Sequence, residues 1–237
     1  MTLPLSRRIF LATTVGAITA PRVSQGPNSV PVCLDHILLG SSDLDRGIEF
    51  VFKQVGVRAV FGGVHPGRGT CNALLSLGDT HYLEIIAPDP AQLQAQDLSS
   101  LRSLTEPRIV GWAAHPGNLE AFAARVRKEG VGVDGPQPGS RKRPDGRTLE
   151  WKTLQMKDNH AGLLPFFIEW GVATVHPSAD APAGAKLTDF GLASPDAVDV
   201  ERLCKLLDLD ASVRQAEKPQ LRAQISGPHG QMMTLTS

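Results

Sequence analysis

LDHILLGSSD at residues 34–43 has two counterparts further along the chain, IVGWAAHPGN at residues 109–118 and LTDFGLASPD at residues 187–196. Each is a short apolar run, then a turn of small residues ending in Asp or Asn, then apolar residues at helical spacing. The three align without a gap, at offsets of 75 and 153 residues. A repeated strand–turn–helix start signals a repeated supersecondary unit, which buries its apolar face only against a neighbour. The repeat also gives His36 a defined place in the first unit, where Gly111 and Asp189 stand in the other two.

Outward from residues 34–43, Asp43 suits a helix N-cap, and Leu44, Ile48, Val51 and Val55 fall on one helical face that Gly56 ends. The β-rich Val57–Phe61, the loop GGVHPGRGT, the strand NALLSL, the turn Gly78-Asp79 and the strand HYLEIIAP follow, so the unit reads β-α-β-β-β. The second unit reads as a strand over Ile109–Ala114 and a helix from about Asn118 to Glu129 with Leu119, Phe122 and Val126 inward. A short strand over Val131–Val133, a loop over 134–147, and strands over Leu149–Met156 and Leu164–Trp170 complete it. The third reads as a strand over Lys186–Leu192, a helix from about Pro195 to Leu207 with Pro195 in its first turn, and short β segments near 211–215, 220–226 and 231–236. Two βαβββ units side by side make a curved, mixed but mostly antiparallel sheet of eight strands, with helices outside and an open inner face that forms a pocket. The expected class is α+β. Residues 32–170 form the two-unit core, 171–185 a Pro- and Ala-rich linker, and 186–237 an appended βαβ-type unit packed on the core.

With 237 residues, 41% of them hydrophobic, the chain suffices for one large domain or two small ones. Its 24 basic and 24 acidic residues cancel, which argues against a nucleic-acid partner, since that needs a basic face. Residues 1–31 read as a signal peptide and linker. Ser6-Arg7-Arg8-Ile9-Phe10-Leu11 and the apolar stretch to Ala20 resemble a twin-arginine signal, so the mature protein is expected in the periplasm or outside the cell, without a membrane span after cleavage. Cys33, Cys71 and Cys204 fit neither a zinc motif nor a disulfide framework and read as small buried apolar residues. No serine-nucleophile motif and no HExxH is present.

The LDH start of the first strand, the run HPGRGTCNALLSLGDTHYLEIIAPDP and the strand PFFIEW resemble the glyoxalase-like domain family. That family falls within the vicinal oxygen chelate superfamily of glyoxalase I, extradiol dioxygenases and bleomycin-resistance proteins. The resemblance covers about residues 33–170 and implies a divalent metal (Zn, Mn or Fe) on the inner face of the sheet, held from the first and last strands of each unit. The implied ligands are His36, Glu84 and Glu169, while the fourth position falls on Gly111, which offers none. The residues themselves support such a site. Glu84 lies between Leu83 and Ile85, and Glu169 between Ile168 and Trp170. A carboxylate among such neighbours costs free energy unless it is paired or metal-bound. One imidazole and two carboxylates form a set used by iron(II), manganese and some zinc enzymes. Glu84 and Glu169 are also the candidate catalytic residues, because a carboxylate free of metal can act as base.

Six loop residues, His65, Gly67, Arg68, Gly69, Thr70 and Asn72, are the candidate substrate-binding group. Their glycines let backbone approach a ligand, and successive N–H groups can form an anion-binding concavity, although a long hairpin needs the same glycines. His81 is out of phase with the face of Glu84, His115 reads as a turn residue, and His160 in KDNHAG reads as a loop residue, with a place beside the pocket as the alternative. Arg141, Lys142, Arg143 and Arg147 read as a solvated hairpin tip, with a clamp for an acidic substrate as the alternative.

The expectation is an exported metalloenzyme of isomerase, lyase or dioxygenase type acting on a small oxygenated metabolite. Its rival is a metal-free protein that binds or sequesters a small ligand, as the bleomycin-resistance branch does. Gly111 in place of a ligand favours the rival, and His36, Glu84 and Glu169 favour the enzyme. A small molecule is the expected partner, and a homodimer stays open through the third unit.

Overall fold

The computed structural model of the chain describes residues 30–78, 80–92, 98–143 and 145–237. The double-arginine leader and Asp79 of the expected turn lie outside these residues. The first unit is β1 (Leu34–Gly40), α1 (Leu44–Val55), β2 (Val60–His65), β3 (Thr70–Ser76) and β4 (Tyr82–Pro88). A short helix, α2 (Ser99–Arg102), leads to the second unit: β5 (Arg108–Ala114), α3 (Leu119–Lys128), β6 (Val133–Lys142), β7 (Thr148–Met156) and β8 (Phe166–Trp170). Then come α4 (Pro177–Asp180), β9 (Lys186–Ser194), α5 (Ala197–Leu206), β10 (Ser212–Gln215), β11 (Gln220–Ser226) and β12 (Met232–Thr236).

In each unit the residue that closes the aligned stretch caps the helix. Asp43 accepts from the Arg46 amide, Asn118 from Ala121 and Asp196 from Asp199. Each such cap contributes about 1 kcal/mol by satisfying an amide that the first turn leaves open. Pro195 therefore stands before the cap, and α5 begins two residues later than expected from it. α1 turns Gly47, Ile48, Val51 and Val55 inward and stops at Gly56, whose φ of 75° suits glycine.

The large sheet has the order β2-β3-β4-β1-β5-β8-β7-β6. β1 runs parallel to β4 and β5 parallel to β8, while the remaining neighbours are antiparallel. The two first strands meet at the centre, with Leu38 opposite Gly111 and Ile37 opposite Trp112. Trp112 faces away from the inner surface and donates its indole N–H to the Leu163 carbonyl at 2.8 Å. The third unit builds its own four-stranded sheet, β10-β9-β11-β12. Here the strand after the helix lies parallel beside the first strand, as a βαβ crossover, whereas in units one and two it goes to the far edge. This sheet shares the core with the others through Phe190, which packs on Trp112 at 5.1 Å between ring centroids.

The expected loop over 134–147 is largely the ten-residue edge strand β6, paired with β7. Pro136 and Pro138 are tolerated because an edge strand has one side without ladder bonds. The correction has a consequence for the pocket. Arg141 is carried out of a hairpin tip and into the sheet, where it is buried and donates to the Gly62 carbonyl on β2. The two ends of the sheet order thus meet, and the sheet curls around an inner cup.

Candidate functional site

Four polar side chains of the first unit converge on the inner face. β1 supplies His36, β4 supplies Glu84, and the β2–β3 hairpin supplies His65 and Asn72. Asn72 donates to Glu84 Oε1 at 2.6 Å. His36 Nε2 lies 3.3 Å from Glu84 Oε2, and His65 Nε2 lies 3.7 Å from Oε1. The other nitrogen of His36, Nδ1, meets Asp35 Oδ1 at 2.6 Å. Asp35 in turn accepts from the Trp170 indole at 3.0 Å and lies 3.2 Å from His176 Nε2. Sequence neighbours on a regular strand face opposite ways. Here β1 shifts register against β5 between Leu34 and His36, and Asp35 reaches its neighbour's ring.

His36, Asp35 and Glu84 are almost wholly enclosed, at 2%, 1% and 8% exposure, so their charges persist only as partners. Burial opposes a charge on His36, but hydrogen bonds to Asp35 and Glu84 outweigh it and push the imidazole up to about 9. Burial alone would raise Glu84; its hydrogen bond to His36 overrides this and brings it down to about 2. Asp35 is likewise held well below the usual carboxylate range by His176 and His36 against its own burial. An imidazolium thus sits between two carboxylates. His65 is shifted the opposite way. Burial moves it below the ordinary histidine value, and the Glu84 charge offsets this only in part. Its Nδ1 lies 2.9 Å from Thr70 Oγ1 and its Nε2 3.4 Å from Asn72 Nδ2, so the neutral ring keeps its lone pair on Nε2, toward Glu84.

The cup encloses about 600 Å³. The second unit lines it with Trp151, Phe166, Ile168, Trp170 and Arg141. Tyr82 of the first unit stacks on the His36 ring at 4.5 Å. One wall is therefore ionisable and the other is aromatic with a single buried cation.

Glu169 does not join them. Phe166, Ile168 and Trp170 of β8 face the cup, so the residues between them face the helices. Phe167 packs on Phe122 of α3, and Glu169 accepts from the Leu119 amide at 2.5 Å, at the start of that helix. The expected assignment of Glu169 as ligand and catalytic residue is thereby corrected: it caps α3 beside a second cavity of about 500 Å³. His36 and Glu84 keep the face expected of them, but the three-ligand set is not assembled. Among the described residues, no group of three or more His, Cys, Asp and Glu side chains could hold a metal ion. The residues present do not fit the implied metal.

Of the loop residues, His65, Arg68 and Asn72 line the cup, and Gly67, Gly69 and Thr70 do not. Two amides of the expected anion concavity are already engaged. The Gly67 amide donates to Gln92 Oε1 and the Arg68 amide to the His65 carbonyl, while Gly69 accepts from the Asp89 amide. Thr70 instead orients His65. His81 donates from Nδ1 to the Leu34 carbonyl at 2.9 Å and, like His115 and His160, lies outside the cup lining. Sequence reasoning missed Asp35, His176 and the aromatic wall. Asp35 had a readable sign, a carboxylate directly beside a candidate histidine; His176, in the linker, had none.

Residues 34–207 match a family described as glyoxalase-like domain. No curated protein matches the chain. Among solved structures, a hypothetical protein from Staphylococcus aureus is 19% identical over 85% of this chain and 84% of that one, with a TM-score of 0.60. Methylmalonyl-CoA epimerase from Mycobacterium tuberculosis is 21% identical over 62% of this chain and 92% of that one, with a TM-score of 0.41. A hypothetical protein from Bacillus halodurans is 15% identical over 58% and 91%, with a TM-score of 0.42. The likeness to the staphylococcal protein is one of fold.

Proposed function

The chain belongs to the glyoxalase-like domain family, and on that premise we propose that its cup is the active site of an isomerase-type enzyme that moves a proton on a small oxygenated metabolite. One observation carries the reading: two histidines flank one carboxylate, Glu84, one in surroundings that favour its charged form and the other in surroundings that favour its neutral form. Groups whose environments push their pKa values apart are the usual acid–base assignments. His65 is the base. Its Nε2 takes a proton from a carbon next to a carbonyl, and the bonding pair moves onto the carbonyl oxygen. Glu84, held ionised by His36 and Asn72, stabilises the imidazolium that forms. His65 then returns the proton to the substrate at a new position, so no further reactant is needed. Asp35 fixes His36 from behind, and the aromatic wall keeps water away.

No step runs through a divalent ion, because Glu169 does not join His36 and Glu84. The rival reading, a metal-free binding protein, shares the cup and differs only in turnover. Export stays part of the proposal, supported by Arg7-Arg8 alone, and is checked by whether an Arg7→Lys/Arg8→Lys precursor stays in the cytoplasm.

The test is hydrogen–deuterium exchange at carbon. A panel of small oxo and hydroxy acids, aldehydes and ketones is incubated with the protein in D₂O after EDTA treatment and followed by NMR. At least one compound should exchange, and His65→Gln should slow it by roughly 10²-fold or more. If no compound exchanges faster than in buffer, the binding protein replaces the enzyme. If exchange requires added Zn²⁺, Mn²⁺ or Fe²⁺, then His65 serves as a third ligand in place of Glu169 and the base assignment is wrong.

A further inference from the structure

The basic run of residues 141–147 divides in two. Arg143 and Arg147 are matched by carboxylates outside the cup. Arg143 meets Asp180 at 2.6 Å, and Arg147 meets Asp145 at 2.8 Å. Arg141 points the other way and is 5% exposed. Among the described residues, no carboxylate lies within 4.0 Å of its guanidinium. Its hydrogen bond among the described residues goes to the Gly62 carbonyl. A Cβ on Gly63 would come within 2.8 Å of Nη1 and 3.1 Å of Cδ, so the side chain lies close against the β2 backbone. The cation is therefore immobilised and desolvated; burial works against its charge, and the Glu84 carboxylate across the cup offsets this only in part. A guanidinium has five N–H donors, and a buried one without a hydrogen-bonded carboxylate is costly.

We propose that Arg141 anchors the carboxylate of the cup's ligand, which is a small monocarboxylate with an apolar or aromatic body. This deepens the proposed function and rests on its premise that the cup is the working site. A planar carboxylate matches the free edge of a guanidinium with two parallel hydrogen bonds. From that anchor the body of the ligand lies along Trp151, Phe166 and Trp170, toward His65 and Glu84. Arg68, exposed at the rim, draws anions in. His36 is already paired with Asp35 and Glu84, so Arg141 alone matches one further negative charge, which favours a carboxylate over a phosphate dianion.

The test measures binding, so turnover is not needed. Phenylacetate, phenylacetamide and phenyl phosphate are titrated into the full chain by calorimetry. Intrinsic fluorescence serves as a second readout, because two of the three tryptophans, Trp151 and Trp170, line the cup. Phenylacetate should bind roughly tenfold or more tightly than phenylacetamide. Arg141→Met should bring that ratio near one, and Arg141→Lys, with charge but no fork, should fall between. Circular dichroism melts establish that each variant folds; if Arg141→Met does not, an unchanged ratio in Arg141→Lys overturns the proposal. A wild-type ratio near one, no phenylacetate binding at millimolar concentration, or tighter binding of phenyl phosphate each overturns it as well. His65→Gln should lose proton exchange yet keep the carboxylate preference, so failure of the enzyme reading and failure of the anchor are told apart.

Discussion

Glu84 sits between a charged histidine and a neutral one, and its pH behaviour follows from that. The His36 pKa is raised from 6.5 to about 9, so the stability it contributes is fully present below pH 6.5 and is lost as pH rises through 9. The Glu84 pKa is depressed from 4.5 to about 2, so its contribution is present above pH 4.5 and is lost as pH falls through 2. Their shared pair is strongest between pH 4.5 and 6.5, and thermal melts should plateau there and fall on both sides. Glu84→Gln should cost about 3 kcal/mol, the low end for breaking a buried pair, because Asp35 still faces His36. It should also bring the alkaline loss to lower pH. An unchanged melting curve in Glu84→Gln would sink the ion pair. His36 and Glu84 were legible in the sequence because each is a polar residue on an otherwise apolar strand. Glu169 met the same criterion and was misread. Its strand, FFIEW, is apolar on both faces, so no local alternation tells which face meets the cup. Pairing with β7 and β5 decides that, and pairing is not a local property.

At the level of elements, the helix starts were the most readable feature. Asp43, Asn118 and Asp196 each cap through a side-chain oxygen, chemistry that a one-residue pattern records. β6 was unreadable for the converse reason. Gly and Pro usually mark a loop, and only the edge position of the strand excuses them. The same reading put Arg141 at a hairpin tip, with a clamp for an acidic substrate as the alternative. Glu169 is an element-scale residue: its carboxylate sits at the positive end of α3 and accepts from Leu119. Glu169→Ala should lower stability by about 0.5–2 kcal/mol in a denaturant titration, as other helix caps do. It should leave the carboxylate preference of the cup intact. Loss of that preference in Glu169→Ala would place the residue in the site after all.

Across the whole molecule, the repeat does two different jobs. Units one and two join through β1 and β5 into one sheet, and each supplies one wall of the cup. Unit three repeats the strand–turn–helix start but keeps a separate sheet and covers the helix side of the first two. In it Asp189, the counterpart of His36, is buried and pairs with Arg222 at 3.0 Å rather than lining a cup. The linker between them is tied to the site, since His176 reaches Asp35. The aligned starts revealed the number of units; the division of labour depends on which strand edges pair, which the aligned stretches do not contain. No single unit holds the cup, so the central claim, two histidines in opposite states about Glu84, must be tested on the full chain. The measurement is an imidazole ¹⁵N NMR titration from about pH 5 to about pH 10, with His36→Gln and His65→Gln assigning the signals among seven histidines. The account predicts that His36 keeps both ring protons until about pH 9, while His65 is neutral at pH 7 with its proton on Nδ1. Joint titration of the two rings near 6.5, the ordinary histidine value, would contradict it.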